Sequence, residues 1–79
     1  MGLEESDEPT EIQCHLGALL DERSMTLVEL SEMVNISVVN LSVLKNNHAK
    51  AMRFSTLQAI CKALDCEVGE LLSYVPRLP

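Results

Sequence analysis

Helix starts recur at short intervals along this chain, and they leave little room for anything but a small bundle. Thr10-Glu-Ile-Gln13, Thr26-Leu-Val-Glu29 and Ser55-Thr-Leu-Gln58 each fit the capping-box pattern. In such a box a hydroxyl accepts the backbone N–H three residues on, and the Glu or Gln there reaches back to the cap. Apolar residues follow at helical spacing. Ile12, Leu16, Leu19 and Leu20 predict a first helix, and Leu27, Leu30 and Val34 a second. Leu41 and Leu44 mark a third, entered through Ser37. Leu57, Ile60, Cys61 and Leu64 mark a fourth. Val68, Leu71 and Leu72 mark a short fifth that Pro76 cannot extend. Asn35-Ile36 and Asn46-Asn47-His48 supply the breaks, because Asn tolerates turn conformations. Helices of this number and length predict an all-α, five-helix domain over residues 10–76, with an acidic flexible tail at 1–9 and a C-terminal tail at 77–79.

The third helix breaks the local rule. Val38, Val39, Asn40, Ser42 and Val43 are mediocre helix formers, so this segment must be held by packing through Leu41 and Leu44. A segment that contradicts its own propensity is a place to look for function. Charge points to the same region. The net charge is −6, but it is unevenly placed. Residues 1–11 hold five acids (Glu4, Glu5, Asp7, Glu8, Glu11) and no base. Residues 33–64 hold Lys45, Lys50, Arg53 and Lys62 and no acid. A stretch that is purely basic over that length offers a face to an anion despite the overall sign.

Composition settles the environment and the core. With one Phe, one Tyr and no Trp, the core is built from aliphatic side chains, with Met33 and Met52 expected to fill its gaps. Three cysteines, an odd number, show no disulfide framework. No secretory signal and no apolar run long enough for a membrane span is present. The expectation is a cytoplasmic protein with reduced thiols. The opening Met1-Gly-Leu-Glu-Glu-Ser6 meets the short myristoylation pattern at Gly2, but the acids that follow would be repelled by an anionic membrane surface.

The run Thr26-Leu-Val-Glu-Leu-Ser-Glu-Met-Val-Asn-Ile-Ser-Val-Val-Asn-Leu-Ser-Val-Leu-Lys-Asn-Asn47 resembles the Cro/CI-type helix-turn-helix, the xenobiotic-response-element family. The likeness lies in the capped second helix with Leu30 and small Ser31, the turn Asn35-Ile36, the cap Ser37, and apolar Leu41 and Leu44. It extends through Ala49–Cys66 and Gly69–Leu72 and covers roughly residues 12–76. The resemblance implies a lambda-repressor-like fold and a transcriptional regulator, a repressor in its expected role, that binds double-stranded DNA. In such proteins the second helix of the pair, here 37–46, enters the major groove. Stepping about 100° per residue from Leu41 puts Val39, Ser42, Val43 and Asn46 on the outward face, with Val38 and Asn40 at its flanks, and by that likeness Val38, Val39, Ser42 and Val43 face the bases. Thr26, Leu27, Ser37, Lys45, His48, Lys50 and Arg53 would hold phosphates. Valine packs on a thymine methyl and Asn pairs with adenine, so the expected preference is for A·T pairs. Two departures stand out. Asn35 replaces the usual turn glycine, and Asn47-His48 replaces a Gly-Lys pair. The second removes a fixed positive charge near the expected phosphate backbone, so weaker binding is expected.

Other chemistries find no footing. There is no Gly-rich phosphate loop, no Gly-x-Ser-x-Gly and no paired-histidine motif, so no enzyme and no cofactor are expected. Cys14-His15 and Cys61-x4-Cys66 are not zinc spacings, so no metal is expected. Cys61 falls on the apolar face of the fourth helix and reads as a small buried hydrophobe. Dimerisation is expected, because helix-turn-helix proteins read paired half-sites. Leu72-Ser-Tyr-Val75 with Leu78 is the apolar segment available for it. The competing reading is a protein-interaction module, antitoxin-like or anti-repressor, that uses the Val38/Val39/Val43 surface. In that case the acidic tail suits a basic partner, or competes with DNA for the basic face.

Overall fold

The computed structural model describes residues 11–76. The tail at 1–9, the capping position Thr10, Gly2 and Leu78 therefore lie outside the described residues. Seven elements follow in order: β1 (Ile12–Cys14), α1 (Leu16–Glu22), α2 (Leu27–Val34), α3 (Val38–Lys45), α4 (Phe54–Leu64), α5 (Val68–Leu71) and β2 (Leu72–Tyr74). Five helices are present as expected, but the fold is not purely helical. β1 and β2 pair antiparallel, with Ile12 opposite Tyr74, Gln13 opposite Ser73 and Cys14 opposite Leu72.

That small sheet corrects the expected first helix. Residues 12–14 are strand, and the helix begins only at Leu16. The Thr10–Gln13 pattern is a local signal that long-range pairing overrides. The His15 N–H donates to the Leu71 carbonyl at 2.7 Å and the Val75 N–H to the Glu11 carbonyl at 2.9 Å, closing the ladder at both ends. The Cys14 N–H, on the outer edge of β1, donates to Asn47 Oδ1 at 2.6 Å. His15 ends up half-buried, its Nε2 lying 2.6 Å from the Ser73 hydroxyl. Leu72, expected in the fifth helix, is the first residue of β2.

The capping signals divide in an instructive way. At Thr26 the box is complete: its hydroxyl accepts the Glu29 N–H at 3.1 Å, and the Glu29 carboxylate accepts the Thr26 N–H at 2.9 Å. At Ser55 the expected box is absent. α4 starts at Phe54 with Arg53 as its cap, so Ser55 already lies inside the helix. A box outside the Ser/Thr-first pattern sits at α5, where the Glu67 N–H donates to the Glu70 carboxylate at 2.9 Å.

The core among the described residues is one cluster: Leu16, Leu19, Leu20, Leu30, Leu41, Leu44, Ile60, Leu64 and Leu71. It is aliphatic throughout, as the composition requires, and each fully buried leucine stabilises the fold by about 1.5–3 kcal/mol. Met52 and Cys61 pack against this cluster half-buried. Met33 does not fill a core gap; it is 58% exposed on the outer face of α2. Arg23 closes the far end of the bundle, its Nε–H donating to the Leu64 carbonyl at 2.6 Å, an orphan acceptor at the end of α4.

Two asparagines replace the glycines that such turns favour, and both adopt the left-handed backbone, with φ 58° at Asn35 and 61° at Asn47. Asn tolerates this region, whereas a Cβ without a compensating polar group costs roughly 1–2 kcal/mol there. Asn35→Ala is therefore expected to lower stability by about that amount, while Asn35→Gly is neutral or better. At about 4–8 °C per kcal/mol for a domain of this size, thermal denaturation followed by circular dichroism separates the two variants. Equal melting temperatures would contradict the assignment.

Candidate nucleic-acid interface

α2 and α3 cross at 117°, within the range for two helices joined by a tight turn in a helix-turn-helix. The turn is Asn35-Ile36-Ser37, and three contacts set its shape. The Asn35 N–H closes α2 onto the Ser31 carbonyl at 2.9 Å. The Ser31 hydroxyl donates to the Ile36 carbonyl at 2.6 Å, which explains why a small hydroxylated residue serves there. The Ser37 hydroxyl then caps α3 by accepting the Asn40 N–H at 3.1 Å. Half-buried Val34 and Ile36 seal the underside of the turn against the core.

α3 shows one face to the interior and the rest to solvent. Leu41 is fully buried and Leu44 is 7% exposed. Val39 is 71% exposed, and Val38 and Val43 are 38% exposed each. Helix propensity is poor here, so the two leucines hold the segment as a helix. The outer face is then free to carry residues that packing did not choose. Val38, Val39, Ser42, Val43, Asn46 and His48 line one shallow concavity of about 340 Å³. Within it the Asn46 amide donates to the Ser42 hydroxyl at 3.3 Å, one helical turn apart. The residues of the expected outward face and its flanks thus share one surface, apart from Asn40.

Asn40 opens instead into a larger groove of about 630 Å³ between α3 and the segment leading to α4. Ser37, Asn40, His48, Lys50, Arg53 and Thr56 are among its polar lining. Four of the expected phosphate-holding residues, Ser37, His48, Lys50 and Arg53, therefore converge on one groove. Its polar and cationic lining suits an extended anion. Sequence reading missed Asn35 and Thr56, which line it too. Neither carries a charge, and only the bend of the chain brings them there.

The remaining candidates lie elsewhere. Lys45 belongs to neither surface. Its aliphatic stem runs along α1, close enough that a Cβ at Gly17 would stand 3.3 Å from Lys45 Cε. At the start of α2 the Glu29 carboxylate accepts the Thr26 N–H at 2.9 Å, so the backbone donor expected at Thr26 already has a partner within the helix.

The cysteines stand apart from this surface. Burial, with neighbouring Cys61 and Glu70 adding to it against the pull of Arg23, pushes the Cys66 thiol up to about 11. Cys14 is also raised by burial, against a backbone hydrogen bond from Leu16. A thiol held protonated is a poor nucleophile and a poor metal ligand. Among the described residues no three His, Cys, Asp or Glu side chains gather in a way that would hold a metal ion.

Comparison with known proteins agrees with this geometry. Residues 15–77 match the family profile described as a Cro/C1-type HTH DNA-binding domain. The chain is 53% identical over 60 residues to the uncharacterized HTH-type transcriptional regulator YozG of Bacillus subtilis (strain 168), a match covering 76% of this chain and 71% of that protein. It superposes on the crystal structure of the transcriptional regulator VanUg (Form II) with a TM-score of 0.73 at 26% identity, covering 96% of this chain and all of the other.

Proposed function

The chain belongs to the Cro/C1-type HTH DNA-binding domain family, and we propose on that premise that it is a transcriptional regulator, acting as a repressor, that reads double-stranded DNA through the major groove with α3. The reading assigns residues 10–76 to one DNA-binding unit. The observation that carries it is the pairing of two adjoining surfaces: an exposed, sparsely polar helix face, and beside it a groove lined by His48, Lys50 and Arg53. Phosphate contacts fix register, and base-edge contacts read sequence. Ser37, His48, Lys50 and Arg53 take the first role with the N-terminus of α2, while Val38, Val39, Ser42, Val43 and Asn46 take the second. Lys45 joins the phosphate set only by swinging off α1. Valine methyls against thymine and the Asn46 amide against adenine favour A·T pairs.

Dimerisation belongs to the same proposal. Tyr74 is 64% and Val75 45% exposed at the end of β2. The ladder bonds at Val75 and His15 turn the Tyr74 backbone N–H and C=O toward the open edge of the sheet. A second copy adding its own β2 there would give the two-fold contact that paired half-sites require.

A second reading keeps a specific support. Val38, Val39 and Val43 form an apolar patch of the kind that marks a protein partner. Titrating a labelled duplex at rising salt separates the two. DNA binding gives a log–log plot with slope about −0.9 per phosphate contact. Absence of salt-dependent binding would hand the valine surface to a protein.

A further inference from the structure

We propose that the apolar groove beside the start of α4 is a binding site for a small aromatic carboxylate, and that a ligand held there competes with DNA through Lys50. The competition rests on the DNA-binding reading above; the site does not.

The groove encloses about 240 Å³, and Ile12, Leu44, Met52, Phe54, Leu57 and Leu72 are among its lining. The small sheet supplies one wall. Ile12 and Cys14 fall on one face of β1, and Leu72, directly opposite Cys14, lies on the same face. The start of α4 and the segment before it supply the other wall. Size limits the ligand. An apolar cavity of roughly 150 Å³ holds a benzene ring, so this groove holds a ring with a short substituent and is too small for a drug-sized molecule.

Two side chains select an aromatic body over an aliphatic one. Phe54 stands at the rim 87% exposed, more than any other large hydrophobic residue described, and a second ring beside it gains an offset or edge contact beyond its buried area. Met52, half-buried in the lining, adds a thioether, which also favours an aromatic neighbour.

Charge selects the head group. Among the described residues Lys50 is the one charged side chain in the lining, and no acid lies there. Asn47 lines the groove too. Its Oδ1 accepts the Cys14 N–H at 2.6 Å, so the end it has to offer a ligand is the NH2 donor. An ammonium and an amide donor together suit a carboxylate, through hydrogen bonds that charge strengthens. An amine would meet like charge instead.

The coupling to DNA follows from position. Leu44, Ala49, Lys50, Ala51 and Met52 line this groove and the cationic one alike, so one segment is a wall of both. A carboxylate paired with Lys50 cancels the charge that the cationic groove would offer a phosphate.

The test uses phenylacetate, its neutral isostere phenylacetamide, and acetate, on the full chain, with total ionic strength held at about 50 mM so that exposed charges are little screened. Backbone amide NMR without DNA follows each titration. Phenylacetate is expected to shift amides at residues 12–14 and 47–57 saturably and to bind about tenfold tighter than phenylacetamide. Lys50→Gln removes that preference, and Phe54→Ser, at an exposed position, weakens both ligands by roughly fivefold. Shifts that acetate reproduces would mean a basic surface alone and would overturn the site. Equal affinity for phenylacetate and phenylacetamide would overturn the carboxylate class. Absence of saturable shifts would overturn the site. So would shifts at these residues that change with protein concentration before any ligand is added, which would give the groove to a second copy.

A random-sequence duplex is then titrated with and without saturating phenylacetate at the same ionic strength. The expected result is a roughly fivefold or greater loss of affinity, absent with phenylacetamide and absent in Lys50→Gln. Unchanged affinity would overturn the competition. Saturable phenylacetate binding by a chain that binds no duplex would establish the site and remove the DNA-binding reading.

Discussion

Replacing Lys50 and Arg53 together by alanine weakens binding to specific and random duplexes alike, by roughly fifty- to a hundredfold at about 0.1 M salt. Each phosphate contact releases close to one counterion, so each is worth nearly a factor of ten per decade of salt. Losing two contacts also flattens the log–log salt dependence by about two units. Both side chains are exposed, and Arg53 caps α4 through its backbone without a side-chain cap bond. Isothermal or anisotropy titrations across salt, with melting curves as control, check both halves. A variant that loses affinity for one sequence but keeps the full salt slope would place these residues against bases instead.

The second large effect is on stability. Leu41→Ala removes a fully buried side chain from the one helix that local propensity does not favour. Large-to-small changes at such sites cost about 2–5 kcal/mol. A domain of this size is expected to have only about 4–12 kcal/mol in all, at 0.05–0.15 per residue. The variant is therefore expected to be partly unfolded at ambient temperature, and to lose DNA binding because α3 no longer holds its shape. Val39→Ala is the companion experiment. At 71% exposure it should change stability by no more than about 0.5 kcal/mol, while lowering affinity for a preferred site. Chemical denaturation of the two variants measures the contrast; comparable losses of stability would mean that Val39 packs inside.

What could be read from the sequence follows the range of the interactions involved. α2, α3 and their turn were legible because Leu27, Leu30, Val34, Leu41 and Leu44 repeat at helical spacing and Thr26 and Ser37 cap locally. The β1–β2 sheet was not legible. Strands of three residues carry no usable period, and their partners lie some sixty positions apart. The Thr10–Gln13 pattern even pointed the wrong way. Ser55 misleads for a related reason: a Ser-x-x-Gln run fits inside a helix as well, and only backbone geometry shows that Arg53 is the cap. Nothing in the sequence separates exposed Met33 from half-buried Met52, because composition says how many apolar side chains there are and not which face each takes.

The candidate site shows the same division. Charge and the family likeness together point to Lys45, Lys50 and Arg53, but not to how they are grouped. The chain between α3 and α4 brings Lys50 and Arg53 to the groove that Ser37, Asn40 and His48 also line. Lys45, one position past buried Leu44, is turned back onto α1 at Gly17. Contributions from Asn35, Thr56 and the Ser31 hydroxyl depend on a bend between helices that no periodicity encodes.

The central claim, that α3 reads sequence in duplex DNA, is tested most directly by selecting bound duplexes from a fully randomised pool with the full chain. The expected result is a recurring motif enriched in A·T pairs, arranged as an inverted repeat with half-sites about one DNA turn apart if two copies bind together. A pool that emerges from selection with no enriched motif would contradict the claim.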